Sequence, residues 1–222
     1  MNVLVIATHA DDEVLGVGGT LALHARNGDH ITVCTVAEAD PERKSETYLV
    51  EKRKDTLKAH EILGVDNSIF LGYHATKLDT IMHRELIADL EKVVEKVDPD
   101  MVYTHYWGDV NKEHRVVTEA MQVVLRPKGK RNKIKVLSYE VLSSTEWGIF
   151  LADEIFKPNS FVDITTTLEI KKKALEAYKT EEHAFPHPRS IEAIDASAKK
   201  WGSVVGMMAA EPFIVVRETM QI

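Results

Sequence analysis

Short runs of consecutive apolar, mostly β-branched residues alternate along this chain with longer stretches whose apolar positions recur at helical spacing. The short runs cover residues 3–7, 31–36, 68–71, 101–104 and 134–141. Unbroken apolar runs of this length are what strands of a parallel sheet show when both faces are covered. Helical stretches fill 15–26, 52–63, 80–97 and 113–125, and stop signals follow three of them: Asn27-Gly28, Gly64 and Asp98-Pro99. Residues 38–50 are polar and read as a loop, and 127–131 as an exposed basic loop. The order β-α-β-α-β-α-β-α-β predicts an α/β fold: a mostly parallel sheet with helices on both faces and right-handed crossovers. Beyond residue 142 the rhythm breaks. A strand at 161–164, helices at 168–178 and 190–206 and a last strand at 213–216 are expected to form a cap on the same core. The expectation is a single domain over 1–222, with 1–141 as parallel core and 142–222 as its cap and closing elements.

Composition narrows the function. The 222 residues carry 28 Lys+Arg against 35 Asp+Glu, a formal net charge of −7, which disfavours a nucleic-acid partner. No apolar run is long enough to span a membrane, and the N-terminal segment lacks the basic start of a signal peptide. Cys34 is the single cysteine, so neither an internal disulfide nor a cysteine zinc site can form. A soluble, cytoplasmic protein is expected.

Ligands of open parallel sheets sit beyond the carboxyl ends of the strands. Two segments there carry chemistry. After the first strand comes Thr8-His9-Ala10-Asp11-Asp12-Glu13, and after the fourth comes Asp109-Val110-Asn111-Lys112-Glu113-His114-Arg115. A catalytic zinc takes three protein ligands and keeps a position for water. His9 and Asp12, three apart across a strand-to-helix turn, can point at one centre, and His114 can complete the set. Asp11 would then be a carboxylate beside the metal, placed to move protons. The competing reading makes Asp12 and Glu13 helix N-terminal acids that accept orphan amides and complement the helix dipole.

The first of these segments, extended through Gly16-Val17-Gly18-Gly19, resembles the opening motif of the PIG-L/LmbE-like deacetylases, and the second resembles their second metal motif. The likeness continues at Tyr139-Glu140, Ser143–Trp147, Phe156–Ile164, His187-Pro188-Arg189-Ser190 and Ala210–Phe213, so it spans nearly the whole chain. It implies a Rossmann-like fold and a zinc or other divalent ion held by His9, Asp12 and His114. It further implies Asp11 as general base and an activity that removes acetyl groups from N-acetylated sugars or related glycoconjugates. Relatives often form trimers or hexamers, which leaves a homo-oligomer open.

The chain departs from the family pattern in three places. Ala10 replaces the usual proline. Asn111 stands where many members have an oxyanion-stabilising histidine, and its amide can donate a hydrogen bond but carries no charge. His74-Ala75 stands where relatives often have an acid that holds the sugar. Substrate contacts are expected from Arg53, a clamp by resemblance and otherwise part of a solvated face. Arg189, in a proline-shaped loop, and Glu140 and Trp147, near the pocket, are further candidates. The glycines read as GxGG, suited to close helix–sheet packing rather than to a dinucleotide. The expected function is a metal-dependent N-deacetylase of a small amino-sugar derivative. A hydrolase of an ester or non-sugar amide and a non-catalytic binding module are the alternatives.

Overall fold

The computed structural model describes residues 1–148, 155–181 and 183–220. Its centre is a seven-stranded sheet built from β1 (Asn2–Ala7), β2 (His30–Glu38), β3 (Asn67–His74), β4 (Met101–His105), β5 (Lys135–Tyr139), β6 (Ser160–Asp163) and β7 (Ala210–Arg217). The strand order is β3-β2-β1-β4-β5-β7-β6. The first five strands pair in parallel, whereas β7 runs antiparallel to both β5 and β6. The arrangement is the α/β, Rossmann-like one expected, and its strand order reverses direction at β1.

The side-chain alternation of β1 divides the core. Val3, Val5 and Ala7 face the layer made by α1 (Asp12–Arg26), α2 (Glu46–Leu63) and α5 (Leu168–Glu176), where Val14, Leu21, Leu63 and Leu175 pack. Leu4 and Ile6 face α3 (His83–Val97) and α4 (Lys112–Val124), against Leu86, Leu90, Val117 and Met121. All five of these β1 side chains are fully buried, which is why the strand reads as an unbroken apolar run. Burying a residue such as Leu4 or Ile6 contributes about 1.5–3 kcal/mol.

Three expectations change. The first helix starts at Asp12, three residues earlier than its apolar pattern suggested, so Asp12 and Glu13 both enter its first turn. The second starts at Glu46, inside the expected loop, where Ser45 Oγ accepts from Tyr48 N at 3.2 Å. Its first turn is too exposed to show apolar spacing. The C-terminal segment is more than a cap, because β7 and β6 extend the sheet itself while α6 (Ile191–Val205) covers β7.

The glycines of α1 explain how closely these layers meet. A Cβ on Gly16 would lie 2.1 Å from the Tyr139 ring, and one on Gly19 would lie 2.7 Å from Ile164. Below α1, buried Glu211 of β7 accepts from Gly19 N at 2.9 Å and Thr20 N at 2.7 Å, and Lys171 Nζ meets it at 2.6 Å. Among the described residues no helix is long and apolar enough to cross a membrane.

Candidate metal centre and adjoining cavity

The chain leaves β1 and turns sharply before α1. Asp11 takes φ 112°, a left-handed conformation rare outside glycine, and its N–H donates to Glu13 Oε2 at 3.1 Å. Asp11 is the N-cap residue yet makes no side-chain capping bond, and Asp12 Oδ2 turns back to accept from His9 N at 2.7 Å. These two aspartates therefore do not act as ordinary helix caps. Across the sheet, Asn111 caps α4 by accepting from Glu113 N at 2.9 Å, which puts His114 in the first turn.

The two turns bring three donor atoms together. His9 Nδ1 lies 3.6 Å from Asp12 Oδ2, His114 Nε2 lies 3.4 Å from the same oxygen, and the two ring nitrogens are 3.3 Å apart. A tetrahedral ion with bonds of about 2.0–2.1 Å has ligand–ligand edges of about 3.3–3.4 Å. The three residues thus form a group able to hold a metal ion. Asp12 Oδ1, also buried, has no hydrogen-bond partner among the described residues, so the carboxylate keeps acceptor capacity for a cation.

Carboxylates surround this group and favour the charged form of its imidazoles. Burial lowers the pKa of His9, but hydrogen bonds to Asp12 and Glu113 outweigh it and hold the ring at about 9. His114 is likewise lowered by burial, then raised to about 10 by the charges of Asp12 and Asp109. Despite its burial, Asp12 stays well below the carboxylate range, because His114 and His105 face it. His105, fully buried, is pushed down to about 3 by burial and by the His114 charge. It accepts from Thr8 N at 2.9 Å and stacks on His114 with ring centroids 4.1 Å apart, so it shapes the loop and backs a candidate ligand.

Asp11 opens onto an adjoining cavity of about 210 Å³ whose lining includes His9, Thr35, Lys52, Arg53 and Arg189. Burial raises its carboxyl to about 7, against the pull of Arg189 and Lys52. Arg189 Nη1 donates to Asp11 Oδ2 at 2.8 Å and to Glu181 Oε2 at 3.1 Å, while Nε donates to Ser143 Oγ at 2.7 Å. Glu181 Oε1 in turn accepts from Lys52 Nζ at 2.7 Å. Arg53 forms a two-point pair with Glu38, at 2.9 and 2.6 Å, and lies over Phe70.

The remaining predicted positions are spread more widely. Glu140 accepts from the Trp201 indole at 2.7 Å, and Trp147 is half-exposed beside His187; neither lines the cavity. Sequence reasoning missed Asp109, Glu113, Lys52 and Glu181. Asp109 is buried, holds Ser144 Oγ, Thr145 Oγ1 and Asn111 N, and lies 3.1 Å from His114 Nδ1. Its place in the acid-rich second motif was the available signal.

Comparison with known proteins places the chain among relatives. The chain is 25% identical over 190 residues to a probable N-acetyl-alpha-D-glucosaminyl L-malate deacetylase 2 of Bacillus subtilis, covering 81% of this chain and 83% of the relative. It is 24% identical over 207 residues to the 4-oxalmesaconate hydratase of Pseudomonas putida, covering 83% and 75%. A conserved protein of Thermus thermophilus shares the fold with a TM-score of 0.79 at 23% identity, covering 100% of this chain and 97% of that one. Residues 4–125, which include all three candidate metal ligands and Asp11, match PIG-L, GlcNAc-PI de-N-acetylase, and the chain belongs to that family.

Proposed function

We propose that the protein is a metal-dependent hydrolase that removes an acetyl group from the nitrogen of a small N-acetyl amino-sugar derivative. The observation that carries this reading is the near-tetrahedral spacing of His9 Nδ1, Asp12 Oδ2 and His114 Nε2, beside a cavity that His9 and Asp11 line. A mixed nitrogen and oxygen donor set suits zinc. When bound, the ion would supply Lewis acidity, lowering the pKa of a water and polarising the acyl carbonyl.

The chain's own groups do the rest. Asp11, with a carboxyl raised to about 7, accepts a proton from the attacking water and returns it to the departing amine. Arg189 holds that carboxylate in place through Oδ2. Asn111, its side-chain oxygen occupied by the α4 cap, keeps an NH2 group that we assign to the oxyanion. Arg53 is assigned to the substrate at the cavity wall, and Trp147 to the outer part of a larger one. Glu140, engaged by Trp201, has no part in these steps.

A second reading keeps the centre and changes the bond to an ester or a non-sugar amide. It is favoured by His74-Ala75, which stands where the resemblance puts an acidic sugar contact in relatives, and of which Ala75 lines the cavity. The first experiment is metal content of wild type beside His114→Ala, followed by an amine-release screen. About one ion per chain, lost in the variant, with amine released from N-acetyl hexosamine derivatives, is the expected result. A wild type that takes up no divalent ion after zinc reconstitution overturns the proposal.

A further inference from the structure

We infer that Glu113 is the positioning residue of the centre, fixing the His9 ring for the ion and tying it to the turn after β3. The inference rests on the metal-centre reading above. Glu113 Oε2 lies 2.8 Å from His9 Nε2, and Oε1 accepts from Leu78 N at 3.0 Å. One carboxylate on α4 thereby holds the loop after β1 and the turn at Leu78–Thr80.

An acid in the first turn of a helix needs no such explanation, because the helix dipole favours one there. That effect requires no partner, however, and leaves a side chain in solvent. Here both oxygens are engaged by donors from two distant segments, and the side chain is only 11% exposed.

The two histidines differ in how far they are enclosed. His114 is 1% exposed, stacked on His105 and backed by Asp109 at 3.1 Å from Nδ1, so packing and that carboxylate together fix its ring. His9 is 24% exposed, the least enclosed of the three ligands. In the neutral ring that a metal ion requires, an Nε2–H donating to Glu113 Oε2 would leave the Nδ1 lone pair facing the position between Asp12 and His114. Without that acceptor the other tautomer and a rotated ring become accessible. Such partners of ligating histidines typically alter metal affinity by about 10–100-fold.

The test compares wild type, Glu113→Gln and Glu113→Ala for zinc affinity against a chromophoric chelator. Thermal midpoints of the metal-free proteins and hydrogen exchange at the Leu78 amide accompany it. Zinc affinity is expected to fall about 10–100-fold in the alanine variant, and by less in the glutamine variant, which keeps a neutral acceptor. Leu78 N–H should gain protection on zinc binding in wild type and not in the alanine variant. A folded alanine variant within about twofold of wild-type affinity overturns the inference. If alanine fails to fold, an unchanged glutamine variant overturns it equally. Wild type binding no zinc removes the metal reading itself, whereas wild-type binding with indifferent variants removes only the role of Glu113.

Discussion

Arg189 Nη1 sits 2.8 Å from Asp11 Oδ2 although the two residues are 178 positions apart. The guanidinium comes from the loop before α6 and the carboxylate from the turn before α1. Replacing Arg189 by alanine is expected to lower kcat about 10–100-fold, the range of a charge-assisted hydrogen bond of about 1.5–3 kcal/mol. Steady-state kinetics checks this, and a change confined to KM would instead assign Arg189 to substrate binding alone.

Adjacent aspartates should fail in different ways. Asp11→Asn is expected to retain the ion and lose turnover by about 10²–10⁴, the usual contribution of a proton-transfer group. Asp12→Ala is expected to lose the ion itself, since its Oδ2 is within 3.6 Å of both histidine donor atoms. Metal analysis and activity measured on the same two preparations separate these outcomes.

The buried pair below α1 makes a stability prediction. Lys171 Nζ meets Glu211 at 2.6 Å and also donates to Leu15 O at 2.8 Å. Lys171→Met takes the paired cation away from this buried carboxylate and should cost about 3–5 kcal/mol in urea unfolding. Lys171→Met combined with Glu211→Gln should recover part of that loss.

Glu140 sets a pH dependence away from the candidate metal centre. Burial raises its carboxyl to about 7, opposed by the Trp201 hydrogen bond and Lys200. Because the folded pKa exceeds the unfolded one, the folded state binds the extra proton, and stability falls as pH rises from about 4.5 to 7. Glu140→Gln should remove this slope, gaining about 3 kcal/mol over wild type above about pH 7 and little below about pH 4.5. Unfolding followed by tryptophan fluorescence at several pH values measures it, and parallel slopes for the two proteins would count against it.

Much of this was legible in the residues. Residues 3–7 announced a strand buried on both faces, and His9, Asp12 and His114, singled out in the sequence, come together in the structure. The start of α2 was hidden because its first turn is exposed and therefore shows no apolar spacing. The strand character of 213–216 was visible, but its insertion beside β5 was not, since local patterning carries no information about antiparallel return. Glu113, Lys52 and Glu181 were missed for a related reason. Each is an ordinary surface-type residue in its own segment and acquires meaning from tertiary partners, among them ones 35 to 129 positions distant.

The chain order of these groups bears on how the protein is made. His9, Asp12 and His114 all lie in the first 114 residues, whereas Arg189 and Glu211 come from the segment that follows. At about 5–20 residues per second, the ribosome completes the three ligands several seconds before it reaches Arg189. On the proposed reading, the donors of the candidate cation site would therefore be present in the nascent chain while the carboxylate of Asp11 still lacks its guanidinium.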